Sequence, residues 1–317
     1  MKKLLFFLFF CNICVVLLRG QGLQPLFTIY REQTVVLNPA MPSTNYLVNE
    51  LNNTISTTYR YQWLGMEDAP VTQVVNWEWL PTDRNILVGA NVVNDKTGKI
   101  GLTSANLQFA YKLMMSSMDN RFLSIGFSAG MQQARINIAE DAAEQNVYYP
   151  NQRRIVPDLN MGVYYHHDNI FYAGISTPQL LGSVIYSQAD NNQRLYSLNK
   201  VRHFYAVTGM YIDAPFFGND GAFLEPTTWI RYIPETKTFS FDVNLRAKIS
   251  NSFWASAGYN LYSNTLNIET GSILGESIGL DAGHIKIGLG FGVPLGVNKW
   301  QGLGGIGEVV VSYSWGN

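Results

Sequence analysis

Residues 238–249 read TFSFDVNLRAKI, and this stretch decides the fold. Phe239, Phe241, Val243, Leu245, Ala247 and Ile249 alternate with Thr238, Ser240, Asp242, Asn244, Arg246 and Lys248. A strand turns successive side chains to opposite sides, so the stretch makes one apolar wall and one polar wall. A single strand of this kind would fit a soluble core. This chain repeats the pattern roughly a dozen times, with no helical period between the repeats and an apolar leader in front. The reading is an all-β fold: a transmembrane antiparallel β-barrel with lipid outside and a polar lumen.

The N-terminus fits an envelope protein. Met1-Lys2-Lys3 is basic, and the apolar run Leu4 to Leu18 has signal-peptide length but is short for a transmembrane helix. Residues 1–20 are therefore expected to be a cleaved signal peptide, 21–52 an irregular N-terminal segment with Pro25, Pro39 and Pro42, and 53–317 the barrel. Cys11 and Cys14 lie inside the leader, so their spacing indicates neither redox chemistry nor a metal site. Charged residues make up 14% of the chain against a usual soluble value of about 25%, which argues against a soluble β-sandwich. Aromatic residues at 13% suit the girdles where a barrel meets the membrane surface. A net charge of −1 offers no field for nucleic acid.

Fourteen strands follow from the alternation: 54–63, 71–80, 85–93, 102–115, 122–136, 158–166, 169–176, 201–213, 222–232, 238–249, 252–262, 268–280, 283–293 and 308–315. The even number suits a bacterial single-chain barrel. Two polar stretches, 137–157 and 177–200, are too long for hairpin turns and are expected to be large loops. Hydrocarbon cannot hydrogen-bond an exposed sheet edge, so the strand at Thr54 must pair with the strand at Trp315. Leu245→Arg should then destabilise, and Asn244→Arg, facing the lumen, should be tolerated.

No residue set carries chemistry. His166-His167 ends a strand beside Asp168 without a third ligand at suitable spacing, so a polar strand end explains it. His284 and Lys286 share a face with Gly288 and Gly290, as lumen lining would. Asp242, Arg246 and Lys248 are expected to pair with charges on neighbouring strands, such as Glu225 and Arg231. Four histidines and no nucleophile motif give no hydrolase set. Trp63, Trp77 and Trp79 read as interface anchors. No catalytic, metal or cofactor-binding residue is expected.

The segment Val36-Leu37-Asn38-Pro39-Ala40 is similar to the LNPA opening of the PorP/SprF family, outer-membrane proteins of the type IX secretion system. Tyr59 to Gly65 followed by Ala69-Pro70-Val71-Thr72 resembles its YRxQWxG…APxT block, placing Arg60, Gln62, Trp63, Gly65, Pro70 and Thr72 on the motif together with Asn38, Pro39 and Ala40. Gly304 to Val309 resembles its C-terminal GSHE strand. Gly305 and Glu308 match, while Ile306 and Gly307 stand where the family has Ser and His. The resemblance implies a non-enzymatic outer-membrane barrel without cofactor, serving protein secretion and, in some members, gliding. The implied partners are periplasmic ring proteins, outer-membrane lipoproteins, the C-terminal domain of a secreted adhesin and outer-membrane lipid. From the residues alone, a diffusion channel or small-solute transporter remains the alternative.

Overall fold

The computed structural model describes residues 27–81, 84–116, 120–136, 152–168, 170–189, 195–218, 221–275, 283–296 and 304–316. The expected signal peptide lies outside them. The strands are β1 (Asn53–Tyr61), β2 (Val71–Trp79), β3 (Ile86–Thr97), β4 (Ile100–Ser116), β5 (Arg121–Ile136), β6 (Gln152–His167), β7 (Phe171–Thr177), β8 (Ser183–Ala189), β9 (Leu195–Lys200), β10 (Phe204–Met210), β11 (Ile212–Asp213), β12 (Phe223–Ile233), β13 (Thr238–Lys248), β14 (Phe253–Asn260), β15 (Thr265–Leu274), β16 (Gly283–Pro294) and β17 (Ile306–Trp315). Apart from β8 and β9, all belong to one antiparallel sheet whose ends meet through β10 and β12. Of its fifteen segments, the two-residue β11 merely continues β10 along β12, so fourteen strands close the wall.

Closure occurs where the solvent argument demands it. Thr54 pairs with Ser314 and Asn53 with Trp315, joining the first strand to the last. The alternation sets the faces. On β13, Leu245 is 48% exposed on the outside while Asn244 is 3% exposed on the inside. Thr54, Ser56, Thr58 and Arg60 of β1 are buried in the lumen, and Ile55 and Tyr59 face out. Among the described residues no helix is long and apolar enough to cross a membrane. The strands do the crossing.

Several boundaries differ from the sequence reading. β6 begins at Gln152, inside the stretch read as a loop, and residues 137–151 lie outside the described residues. Residues 161–167 of β6 pair with β7, but 152–160 have only β5 beside them in the sheet. There Arg153, Arg154 and Ile155 are all exposed, which erases the period. The second expected loop holds the β8–β9 hairpin, a sheet separate from the wall. β10 starts at Phe204 rather than at 201. β15 spans Thr265–Leu274 rather than 268–280.

The largest departure is residues 27–52. They hold a 3-10 turn (Tyr30–Glu32) and two short helices, α1 (Thr34–Leu37) and α2 (Thr44–Asn49), and run through the lumen as a plug. Ile29, Arg31, Gln33, Asn38 and Ala40 are each no more than 2% exposed. Leu37, Ala40, Met41 and Leu47 pack with Phe122, Tyr164, Tyr172, Tyr205 and Trp229 of the wall. This apolar cluster inside a polar lumen makes the plug part of the fold.

Candidate functional site

Five of the eleven motif residues, Asn38, Pro39, Ala40, Arg60 and Glu308, lie where the plug is fastened to the wall. At the β1–β17 closure, Arg60 and Glu308 stand opposite each other, with Arg60 Nε 3.2 Å from Glu308 Oε2. The same carboxylate accepts the plug's backbone amides, Thr28 N at 2.7 Å and Ile29 N at 3.2 Å. Two motif residues from opposite ends of the sequence thus grip the start of the plug.

A second anchor lies across the lumen. Arg31 Nε donates to Glu225 Oε1 at 3.1 Å, Nη1 to Asn244 Oδ1 at 2.8 Å, and Nη2 to Thr227 Oγ1 at 2.6 Å and to the Glu225 carbonyl at 3.3 Å. The planar guanidinium fork suits this many directed acceptors. Tyr172 Oη donates to Glu225 Oε1 at 2.7 Å, and Asn244 Nδ2 to Glu269 Oε1 at 3.0 Å. Lys286 bonds the plug carboxylate Glu32. The expected Glu225–Arg246 pair is present, with Arg246 Nη1 4.0 Å from Glu225 Oε2, but the plug's Arg31 is the closer partner. The expectation that Asn244→Arg is tolerated is therefore overturned, because Asn244 lies against a filled lumen and holds Arg31.

The Asn38-Pro39-Ala40 turn forms the third anchor. Asn38 Oδ1 accepts from Ala40 N at 2.9 Å, and Nδ2 donates to the carbonyls of Val163 at 3.3 Å and Ile175 at 3.4 Å. The turn presses on bare backbone. Gly126 and Gly162 face each other across β5 and β6, and a Cβ there would come 2.4 Å from the Pro39 carbonyl oxygen and 2.0 Å from Asn38 Oδ1. Only glycine fits such close approaches. Deeper in the barrel, Gln33 Nε2 donates to Thr58 Oγ1 at 2.6 Å, and Glu78 Oε1 accepts from Ser43 N at 2.8 Å.

The other motif residues sit apart from this interface. Gln62 N donates to the Pro70 carbonyl at 3.0 Å across the β1–β2 connection, where Trp63 and Gly65 adopt positive φ. Leu64 N donates to the Gly305 carbonyl at 3.0 Å, linking that connection to the approach of β17. Thr72 Oγ1 donates to Asp95 Oδ1 at 2.6 Å. His166 points inward, its ring 5.1 Å from that of Phe122, while His167 meets Phe171 edge-to-face outside at 5.7 Å. Adjacent strand positions face opposite ways, so the two histidines cannot chelate one ion.

Sequence reasoning missed Arg31, Glu32, Gln33, Gly126 and Gly162. A cue was present in the spacing of glycines on the inner face of β5, but nothing in the sequence pairs a glycine row with a turn so far upstream.

Fold and lumen together define an outer-membrane β-barrel. Among solved structures it resembles the TodX deltaS2S3 mutant monoaromatic hydrocarbon channel, at TM-score 0.56 and 9% identity, covering 93% of this chain and 100% of that one. The CymD monoaromatic hydrocarbon channel follows at TM-score 0.54 and 10% identity, covering 94% and 96%. The Pseudomonas putida toluene transporter TodX gives 0.51 and 10%, covering 93% and 99%. At such identity these likenesses show the fold alone. No curated protein sequence matches the chain. A family model described as type IX secretion system membrane protein PorP/SprF matches residues 20–313, and the chain belongs to that family.

Proposed function

We propose that this barrel is a non-enzymatic docking component of the type IX secretion apparatus, holding a secreted protein or other secretion subunits at the outer membrane. The supporting observation is the fastened plug. Two cavities beside it measure about 40 and 150 Å³, far below what a folded cargo needs. Partners on this reading are periplasmic ring proteins, outer-membrane lipoproteins or the C-terminal domain of a secreted adhesin, with a role in gliding where the host glides.

The two longest connections, 137–151 and 178–203, leave one end of the wall, and the C-terminus leaves the other. Outer-membrane barrels carry longer loops outside and short turns in the periplasm. A surface-exposed cargo would meet the loop end, and ring subunits the end bearing α2 and the short turns. Removing 183–200 from a barrel that still assembles should abolish cargo capture in mild-detergent pulldowns from native envelopes. Unchanged capture and secretion would remove the hairpin from the docking surface.

The hydrocarbon-channel structures favour a second reading, a small-solute transporter. Planar-bilayer recording separates the two, since docking predicts a silent barrel and transport predicts steady conductance.

A further inference from the structure

Towards the loop end, the outer face of β2 to β6 changes character over three successive cross-strand rows. The first is apolar: Val75, Val92, Ala105, Met131 and Pro157 stand side by side. Met131 ends an outward apolar run of β5 that starts at Leu123, about the 9–11 residues of a tilted membrane-crossing strand. The second row is neutral and polar, Gln73, Asn94, Thr103 and Gln133, and ends at Ile155. Asn94 Nδ2 donates to Gln73 Oε1 at 3.1 Å, and Thr103 Oγ1 to Asn94 Oδ1 at 2.9 Å. The third row is cationic: Lys96, Gly101, Arg135 and Arg153 are in register. The alternation turns its three charged side chains outward, and all three are exposed.

Arg135 and Arg153 stand directly opposite each other, an arrangement that repels unless an anion lies between them. Among the described residues none of the three cations forms an ion pair, whereas Arg202, elsewhere at the loop end, has Glu235. The nearby acids do not answer the charge. Asp95 precedes Lys96 but faces the lumen, where Thr72 Oγ1 donates to it at 2.6 Å. Asp68 meets the β3–β4 turn through its carbonyl, which accepts from Gly98 N at 3.0 Å. Gln133 Oε1 orients Arg135, lying 3.2 Å from Nε and 3.0 Å from Nη2, and leaves Nη1 for an outside acceptor. Between Lys96 and Arg135 the wall is bare, since a Cβ on Gly101 would meet nothing within 4 Å. With strands about 4.8 Å apart, that gap is about 10 Å wide.

We propose that Lys96, Arg135 and Arg153 bind the phosphate groups of a glycolipid in the outer leaflet, its headgroup lying over Gly101 and its chains running down the apolar row. Apolar, neutral and cationic rows follow one another in the order in which such a lipid presents its chains, sugar and phosphates. The loop end faces outward in barrels of this kind, and guanidinium forks match phosphate oxygens. The site stands whether or not the barrel docks cargo.

The test titrates the full protein, folded in mild detergent, with bisphosphorylated lipid A and with its dephosphorylated form. Native mass spectrometry counts the bound lipid, and heat-dependent gel mobility reports the folded barrel. The wild type should retain the phosphorylated lipid and bind the dephosphorylated one at least about tenfold more weakly. The Arg135→Gln/Arg153→Gln double variant should lose at least about tenfold in binding of the phosphorylated lipid. Arg154→Gln should bind as the wild type does, because Arg154 is also exposed but lies on the lumen side of β6 opposite Ala134. The comparison of the two lipids needs no variant and decides the matter alone if the double variant does not fold. Equal binding of the two lipids, or equal binding by wild type and double variant, overturns the proposal. A loss confined to Arg154→Gln also overturns it and makes the cluster a contact for an acidic protein segment.

Discussion

The same strands build two surfaces under opposite rules. Outside, Leu245, Phe239 and Val243 of β13 need only be apolar, because their partner is a liquid hydrocarbon. Inside, Asn244 of that strand has named partners, Arg31 Nη1 and Glu269 Oε1, at set distances. The wall is specified by a period and the lumen by individual pairs. An outward error is therefore charged by the solvent, and an inward error by the partner it strands.

The largest expected effect is on the inside. Arg31→Ala leaves Glu225 buried without its main cation and should cost about 3–5 kcal/mol in chemical unfolding of the detergent-folded protein. Arg31→Lys should recover only part of this, since an ammonium cannot reach Glu225, Asn244 and Thr227 together. A loss as small as that of an exposed pair, below about 1 kcal/mol, would mean the plug does not depend on this anchor.

On the outside, Leu245→Arg should cost about 2–4 kcal/mol at the bilayer midplane, read by folding into lipid vesicles. Leu245→Phe should be silent, because the outer rule asks only for apolarity. Were the two substitutions equivalent, the outer face would not be meeting hydrocarbon.

Asn38→Ala should rank third. It strips one partner from the Val163 and Ile175 carbonyls and from Ala40 N, for about 1–3 kcal/mol. Protease cleavage within 27–52 should rise while the wall stays folded. Cleavage at wild-type rates would show that the glycine seat alone holds the turn.

The smallest effect belongs to neither surface. Arg202 and Glu235 form an exposed pair at the loop end, with Nε and Oε1 3.2 Å apart. Burial acts to raise the Glu235 carboxyl, but backbone amides and Arg202 outweigh it and hold the group below its ordinary value. Its contribution is thus present at neutral pH and fades as the pH falls through the folded value. Arg202→Ala should change stability by about 0.2–1 kcal/mol, and less in high salt.

The two rules also explain what the sequence revealed. All fourteen wall strands were legible, because lipid imposes the same demand at every second residue. The closure of β1 on β17 followed from hydrocarbon's inability to hydrogen-bond. The plug was not legible. Gln33, Asn38 and Thr44 look like loop residues, and their partners Thr58, Val163 and Glu32 follow no period. The motif blocks gave no hint of their arrangement, since the approach of Arg60 to Glu308 exists only once the sheet has closed. The start of β6 was hidden because its first residues lack the second neighbouring strand that enforces alternation.

Glu308 belongs to the last strand, yet it holds the amides of Thr28 and Ile29, 280 and 279 positions earlier. The beginning of the plug therefore cannot be seated until the final strand arrives. Biogenesis must finish the cylinder before, or together with, stoppering it. A truncated or stalled barrel would carry a loose N-terminal tail, and that tail would mark the unfinished molecule for envelope proteases.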